Sequence, residues 1–286
     1  MEITVVGAGI IGLTTATTLQ ERGHRVRVVA AATGAATTSA VAAAIWFPYR
    51  VGPADKVMRW AARTREWLVA LGADAGIDML TCDELAPETP RPWWADVVGA
   101  EYVPSRGWRF AAPRAQPSLL LVHLERGIAI ERRTVRELAA EPGDLVINCS
   151  GLGARTLARD AELTALLGQV VLCDPAGDPT TAIGDDASSF YLIPRRDEVV
   201  LGGCALPAPA DREPAIDPAI TARILARARE LGLPVGAVRG ERVGLRPYRP
   251  AVRLEREGRV IHNYGHGGAG FTLCRGCAED VAALVQ

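Results

Sequence analysis

The stretch ITVVGAGIIGLTTATTL, Ile3–Leu19, decides the fold. It starts with a β-branched run, breaks at GAGIIG and continues as an apolar segment rich in alanine and threonine. This order predicts a strand, a tight turn and a helix. In such a unit Gly7 permits the turn, Gly9 lets a pyrophosphate approach the backbone, and Gly12 lets the helix pack close to the strand.

The same turn predicts a binding site. A helix that begins here presents unpaired N–H groups and the positive end of its dipole to the phosphates of a dinucleotide. The pattern follows a strand and opens a helix, which is the context that a dinucleotide site requires. The alternative is a structural glycine turn in an ordinary βαβ unit, and we favour the dinucleotide site.

One part of such a site is absent from the sequence. A dinucleotide-binding unit usually carries an acidic residue about 20 residues after the glycines, at the end of the second strand, where it holds the ribose hydroxyls. The second predicted strand, Arg25–Val29, instead runs into Ala30, Ala31 and Ala32. We therefore expect another group or water to hold the ribose, and the dinucleotide to be retained less tightly.

The amino-acid composition of the chain argues against several classes of function. The chain has 286 residues and a net charge of −1, so nothing favours binding to nucleic acid or to an anionic membrane. Lys56 is the only lysine, which excludes a lysine-dependent phosphate loop. No apolar run approaches the ~18 residues of a membrane span, and the chain starts directly on its first strand. We expect a cytoplasmic protein and leave a homodimer open.

The cysteines are scattered, which is typical of a reduced protein. Cys274 and Cys277 form a CxxC pair, but a zinc site would need a second pair nearby. A redox pair should open a helix, whereas the sequence from Phe271 to Leu284 looks helical on both sides. We predict no metal site and interpret the cysteines as core residues, with metal or redox chemistry at the CxxC pair as the alternative. They are Cys82, Cys149, Cys173, Cys204, Cys274 and Cys277.

The order of elements predicts an α/β protein with two interleaved domains, because βα units lie at both ends and the middle is mainly β. A Rossmann-type nucleotide-binding domain is predicted over residues 1–53, 117–165 and 243–286. A mainly antiparallel substrate domain is predicted over residues 54–116 and 166–242.

Four local patterns add detail to this division. The run DLVINCSG at 144–151 predicts a second pass of the parallel sheet beneath the nucleotide. Segments 190–194 and 198–203 predict a hairpin. Asp217, with Pro218 behind it, predicts a capped helix. Residues 97–103 are predicted to form a strand.

Six segments that run in order through the chain carry a family resemblance: VVGAGIIGL at 5–13, TTSAVAAAIWFPY at 37–49, VINCSGLGA at 146–154, YLIPRRDEVVLGG at 191–203, GLRPYRP at 244–250 and VIHNYGHGGAGF at 260–271. Across these segments the chain resembles the D-amino-acid oxidases, FAD enzymes of the glutathione-reductase-like Rossmann class. The resemblance implies hydride transfer from the α-carbon of a D-amino acid to FAD, followed by hydrolysis of the imine, with oxygen as acceptor and hydrogen peroxide as product.

The resemblance implies a set of substrate-binding residues. Arg246 would pair with the substrate carboxylate through its planar fork, and Tyr191 would place its hydroxyl on the same group. The Gly268 carbonyl would accept from the substrate amine. By pattern alone Arg249 and Arg253 rival Arg246, since an extended proline-rich segment does not reveal which arginine points inward; only the resemblance selects Arg246.

The resemblance also implies the FAD contacts. The glycine turn before the last helix would face the flavin with its N–H groups, and Thr272 would add a hydroxyl donor. We interpret His262 and His266 as structural, because hydride transfer needs no acid or base. The implied contacts are Gly7, Ala8, Gly9, Ile10, Ile11, Gly12, Thr37, Thr38, Ala43, Ala44, Ile45, Val135, Gly267, Gly268, Gly270, Phe271 and Thr272.

Substrate specificity follows from the expected walls of the side-chain pocket. Ile45, Phe47, Tyr49 and Ile193 would line it and are apolar or aromatic, which favours neutral D-amino acids. Ala205 stands where the D-aspartate oxidases carry an arginine, so acidic substrates should be poor.

The sequence departs from the family pattern at two positions, and two alternative functions remain open. The family's ribose carboxylate falls on Ala31, and Ala187 replaces a lid tyrosine of some members. The alternatives are a glycine or sarcosine oxidase or a dehydrogenase of the same fold, and a flavin-binding protein without catalysis.

Overall fold

The computed structural model describes residues 1–48 and 51–285. Its strands are β1 (Glu2–Val6), β2 (Arg25–Ala30), β3 (Ile77–Glu84), β4 (Glu101–Val103), β5 (Gly107–Ala115), β6 (Ala129–Arg132), β7 (Leu145–Asn148), β8 (Thr164–Cys173), β9 (Thr181–Asp185), β10 (Phe190–Pro194), β11 (Val199–Gly202), β12 (Leu206–Ala208), β13 (Val238–Glu257) and β14 (Val260–His266). Its α-helices are α1 (Ile10–Glu21), α2 (Thr38–Val41), α3 (Ala54–Leu71), α4 (Ala95–Val98), α5 (Pro117–Glu125), α6 (Ala154–Leu157), α7 (Pro218–Glu230) and α8 (Gly270–Leu284).

The described strands join one sheet in the order β4-β5-β3-β9-β10-β11-β8-β13-β14-β7-β1-β2-β6, with β12 also beside β8. From β14 to β6 the neighbours are parallel. β1 pairs with β2 on one side and with β7 on the other, which confirms the predicted second pass. Residues 3–6 of β1 are buried, and α1 packs against α8 beside this half of the sheet. A strand buried on both faces reads as a continuous apolar run, as Ile3–Val6 does, apart from Thr4.

The other half is mainly antiparallel, as predicted, although β3 and β9 pair in parallel. Side chains on a strand point alternately to the two faces. One face of β8, β10 and β11 packs on α7 through Val171, Leu192 and Leu201. The predicted hairpin of β10 and β11 is confirmed, and Asp217 caps α7 by accepting from the Ala219 N–H at 2.8 Å.

The prediction for residues 97–103 is partly wrong. The helical turn α4 ends at Gly99, which has φ +64°, and the strand β4 begins only at Glu101. The strand β5 was not predicted, because a proline and charged residues break its apolar pattern. Its arginines are compensated in the fold, because Arg109 pairs with Asp83 at 2.7 Å and Arg114 pairs with a carboxylate of β3 at 2.5 Å.

The cysteines match their interpretation as core residues. All of them are free and buried, and Cys274 and Cys277 lie inside α8 rather than at its start. Burial raises the pKa of the Cys274 thiol to about 12, which removes the reactive thiolate at neutral pH. None of the helices over the described residues is both long and apolar enough to cross a membrane.

Candidate active site

A cleft of about 580 Å³ runs along the sheet, from the carboxyl ends of β1 and β2 to the antiparallel face that α7 leaves uncovered. It brings together most of the residues expected from the sequence. Those that line it are Gly7, Ala8, Gly9, Ile10, Ile11, Thr37, Thr38, Ala43, Ala44, Ile45, Phe47, Val135, Tyr191, Ile193, Arg246, Gly267, Gly268, Gly270 and Phe271. Tyr49 lies outside the described residues.

The glycine loop has the predicted geometry. Gly7 has φ +115°, and a Cβ there would overlap the Cys149 carbonyl oxygen. Gly12 does not line the cleft. A Cβ at Gly12 would overlap the carbonyl oxygen of Gly7, so its hydrogen lets α1 start directly behind the turn. Because Gly9 ends the turn and α1 begins at Ile10, the first turn of the helix faces the cleft.

The start of α1 fits a diphosphate. The first turn carries no acidic residue, and the N-cap Gly9 supplies no side chain, so the helix dipole is not neutralised from within. The Ile10 N–H donates to Ser39 Oγ at 2.9 Å. Ser39 also lines the cleft and was missed by the sequence analysis. The signal in the sequence was its hydroxyl directly after Thr37 and Thr38, which were expected to contact FAD.

The ribose end lacks a carboxylate, as the sequence predicted. Ala31 is exposed and lines the cleft. Arg133 lies beside it, since its N–H donates to the Ala30 carbonyl at 3.0 Å, and its guanidinium is occupied by Glu131 and Glu141, each at 2.7 Å. The carboxylates among the described lining residues are all at the other end of the cleft.

We expect Ala31→Asp to lower the Kd for FAD by about tenfold, because a carboxylate there can accept from the ribose hydroxyls. Titrating the apoprotein with FAD, followed by flavin fluorescence, measures this. Ala35→Asp is the matched control. It adds the same charge at an exposed residue that does not line the cleft. An unchanged Kd in Ala31→Asp would show that the ribose is held elsewhere.

The closing glycine turn reaches the cleft, but Thr272 does not. The Gly267 N–H donates to the Pro247 carbonyl at 2.8 Å, which holds the turn against β13. α8 begins at Gly270, with no acidic residue in its first turn. The expected flavin contact of Thr272 is corrected: its buried hydroxyl donates to the Phe47 carbonyl at 2.8 Å and accepts from the Phe47 N–H at 3.1 Å. Thr272 therefore positions Phe47, which lines the cleft.

The three rival arginines have different surroundings. Arg249 pairs with Asp160 at 3.0 Å and with Glu162 at 2.9 Å. Arg253 pairs with the carboxylates of two glutamates and donates to a tyrosine hydroxyl. Neither arginine lines the cleft. Arg246 does, and within the described chain no carboxylate pairs with it. Its Nη1 donates to the Cys204 carbonyl at 2.5 Å, which orients the guanidinium.

Glycines on the cleft face make room for the polar side chains there. The Arg246 guanidinium lies over Gly168, where a Cβ would be 2.5 Å from Nη2. The Tyr191 ring lies over Gly202, where a Cβ would overlap the ring. Each of these two glycines lies directly beneath a side chain from another strand, at a position where a Cβ would not fit. We call such a residue a glycine floor.

Gly168→Ala is expected to raise KM for an amino acid substrate by about tenfold or more, because the methyl displaces the guanidinium of Arg246. FAD content and melting temperature should change little, since the displaced group is the end of a flexible side chain. Gly244→Ala is the control: Gly244 pairs with Gly168 across the strands, and its Cβ would meet nothing closer than 3.9 Å. Equal KM values in the two variants would contradict this role.

The wall beside Phe47 is aromatic. The Phe47 ring packs edge-on against Trp94 at 5.1 Å and stacks on Phe110 at 5.9 Å between centroids. Phe110, on the missed strand β5, also lines the cleft. These rings make the surface near Ile45 and Ile193 apolar.

The two histidines differ in position. His262 does not line the cleft and lies between Asn148 at 3.2 Å and Glu257 at 3.1 Å. His266 lines the cleft, and burial lowers its pKa to about 3, so the imidazole is neutral at physiological pH. Neither is arranged to supply a proton as an imidazolium.

The chain is similar to known FAD-dependent oxidoreductases. A family model described as DAO, FAD dependent oxidoreductase, matches residues 2–83 and 71–284. A D-amino-acid oxidase from Rubrobacter xylanophilus is 42% identical, covering 98% of this chain and 94% of that relative. A D-amino-acid oxidase from Streptomyces coelicolor is 37% identical, covering 100% and 97%. The solved structure of glycine oxidase from Bacillus cereus matches with a TM-score of 0.81 at 17% identity, covering 99% of this chain and 96% of that one. At that identity the likeness shows the fold alone.

Proposed function

Because the chain belongs to the DAO family of FAD-dependent oxidoreductases, we propose that it oxidises D-amino acids to 2-oxo acids, with release of ammonia and hydrogen peroxide. The observation that carries the proposal is the guanidinium of Arg246. It lies on the wall of the dinucleotide cleft, is held by a backbone carbonyl and pairs with no carboxylate of the described chain. A carboxylate-bearing substrate completes this arrangement.

FAD, when bound, supplies the acceptor for the hydride that leaves the substrate α-carbon. The protein supplies position. Arg246 binds the α-carboxylate through its planar fork, and the Tyr191 hydroxyl donates to the same group. The Gly268 carbonyl accepts from the α-amine. With the side chain against the apolar wall, these contacts fix three different substituents of the α-carbon and so select one enantiomer.

The walls of the cleft support neutral substrates. Ile45, Phe47 and Ile193 offer apolar surface to a side chain, and Phe110 extends it. An acidic side chain would meet no cation at Ala205, and burying it unpaired is costly. D-alanine, D-methionine and D-phenylalanine are therefore proposed substrates, and D-aspartate a poor one.

We also propose that the sheet divides by function. The half from β14 to β6 would bind FAD, with residues 1–53, 117–165 and 243–286. The half from β4 to β8 would hold the substrate, with residues 54–116 and 166–242.

Peroxide release tests the proposal. The FAD-loaded protein is assayed with D-alanine, D-methionine and D-phenylalanine, their L-enantiomers, glycine and sarcosine. Peroxide with the D-forms, together with the matching 2-oxo acid, is the expected result. Activity confined to glycine or sarcosine would contradict the proposal and show instead a glycine or sarcosine oxidase.

A further inference from the structure

Glu84 is a buried carboxylate on the same cleft face as Tyr191 and Arg246. It ends β3, is 8% exposed and lines the cleft. In register it pairs with Gly184, which pairs in turn with Tyr191, so all three lie in one row across the sheet. A Cβ at Gly184 would overlap Glu84 Oε2. Gly184 is thus a third glycine floor, and the Glu84 carboxylate lies over it.

The neighbouring carboxylates of Asp83 and Asp185 form ion pairs, whereas Glu84 forms none with the described residues. Asp83 pairs with Arg109 at 2.7 Å, and Asp185 pairs with Arg227 at 2.8 Å. Glu84 Oε1 accepts from the Asp186 backbone N–H at 2.9 Å. No arginine, lysine or histidine over residues 1–48 and 51–285 forms an ion pair with Glu84.

An uncompensated buried carboxylate is costly. Burial, with smaller contributions from the charges of Asp186 and Asp185, raises the pKa of Glu84 to about 7, although the hydrogen bond from the Asp186 N–H acts in the opposite direction. A cation that enters the cleft would restore the charged form and remove this cost. Glu84 and the guanidinium of Arg246 lie over β9 and β8 on the same cleft face, so such a cation would sit at the end of the substrate away from its carboxylate.

The separation fits a long side chain. Gly184 and Gly168, the floors beneath Glu84 and Arg246, are three strands apart in the order β9-β10-β11-β8. At the usual strand spacing of about 4.8 Å, this is about 14 Å across the sheet. Gly168 also lies two residues, or about 7 Å, along β8 from Val170, which is the residue in the row of Gly184, so the two glycines are about 16 Å apart. An extended arginine is about 8 Å long between its charged ends, and an ion pair with about 4 Å between the group centres at each end spans the rest.

We propose that Glu84 is a specificity residue that binds the terminal cation of a basic D-amino acid of arginine or lysine length. The α-carboxylate lies on Arg246, the methylenes cross the row of Tyr191 beside the apolar wall at Ile193, and the guanidinium or ammonium ends on Glu84. This inference rests on the proposed function and refines its neutral specificity, since the same wall serves neutral side chains and the methylenes of basic ones.

The test uses matched substrate pairs, D-arginine with D-citrulline and D-lysine with D-norleucine, which differ in the terminal charge. Assays run at about pH 8.5, above the pKa of Glu84 of about 7. We expect the basic member of each pair to have a kcat/KM about tenfold or more above its neutral partner, and Glu84→Gln to remove most of this ratio. Glu88→Gln is the control: it removes the same charge from an exposed residue outside the cleft and should keep the wild-type ratio.

Binding is measured separately, so that a poorly folded variant does not decide the question. The wild-type holoenzyme is titrated with 5-guanidinopentanoate and 5-ureidopentanoate, which lack the α-amine, and the flavin spectrum gives each Kd. About tenfold tighter binding of the guanidino compound is expected. Equal binding, or wild-type kcat/KM ratios near one, would overturn the role of Glu84 while leaving the oxidase intact. Failure of every D-amino acid to react would instead overturn the proposed function.

Discussion

Arg246→Ala is expected to lower kcat/KM for D-amino acids by about a thousandfold, while FAD remains bound. Truncating one partner of a buried hydrogen-bonded charge pair costs about 2–5 kcal/mol, and the substrate carboxylate has no other cation among the described lining residues at this end of the cleft. Arg246→Lys should recover only part of the loss, because an ammonium cannot reproduce the two-point contact of the fork. Steady-state kinetics, with FAD content measured on the same samples, give the result.

Arg249→Ala is the matched control. Arg249 lies three residues away in the same strand, but its guanidinium is already paired with Asp160 and Glu162 outside the cleft. Its removal should lower stability more than it changes KM. Near-normal activity in Arg246→Ala, combined with loss of activity in Arg249→Ala, would reverse the assignment of the two residues.

Gly12→Ala should weaken FAD binding and destabilise the fold together. The added Cβ would overlap the Gly7 carbonyl oxygen, which is backbone and cannot rotate away, so α1 must move from the turn. Overpacking of this kind costs about 1–3 kcal/mol, which lowers the melting temperature of a chain this size by several degrees. A Kd for FAD at least ~10-fold higher should accompany the lower melting temperature.

Gly9→Ala separates the two effects. Its Cβ would lie 3.1 Å from Ser39 Oγ, a side-chain atom that can move. We therefore expect weaker FAD binding with little change in the melting temperature of the apoprotein. If Gly12→Ala keeps both wild-type values, α1 does not depend on the close approach seen in the structure.

The sequence predicted the parts of the fold that local chemistry decides. The glycine turn, the buried run of β1 and the capped start of α7 each depend on residues that are adjacent in the chain. The choice among Arg246, Arg249 and Arg253 could not be made this way. Gly244 and Arg246 share the cleft face by alternation, but β13 shifts register between Tyr248 and Arg253, so counting residues fails beyond that point.

The unpredicted residues Ser39 and Glu84, and the corrected role of Thr272, depend on contacts between distant segments. Ser39 meets the start of α1 across 29 positions, and Thr272 turns to Phe47 across 225 positions. Glu84 faces the cleft because β3 pairs in parallel with β9, a pairing that no local pattern announces. Its neighbours Asp83 and Asp185 pair with arginines, whereas Glu84 pairs with no cation of the described residues. Only the folded structure shows this difference.

The most direct test of the account is the absorbance spectrum of the purified, FAD-loaded protein under anaerobic conditions. D-alanine or D-phenylalanine is added, with the L-enantiomers as control. We expect the flavin absorbance to bleach with the D-form alone, because the proposed contacts with Arg246, Tyr191 and Gly268 would hold one enantiomer in the reactive orientation. A flavin that stays oxidised with every D-amino acid, or that bleaches equally with both enantiomers, would contradict it.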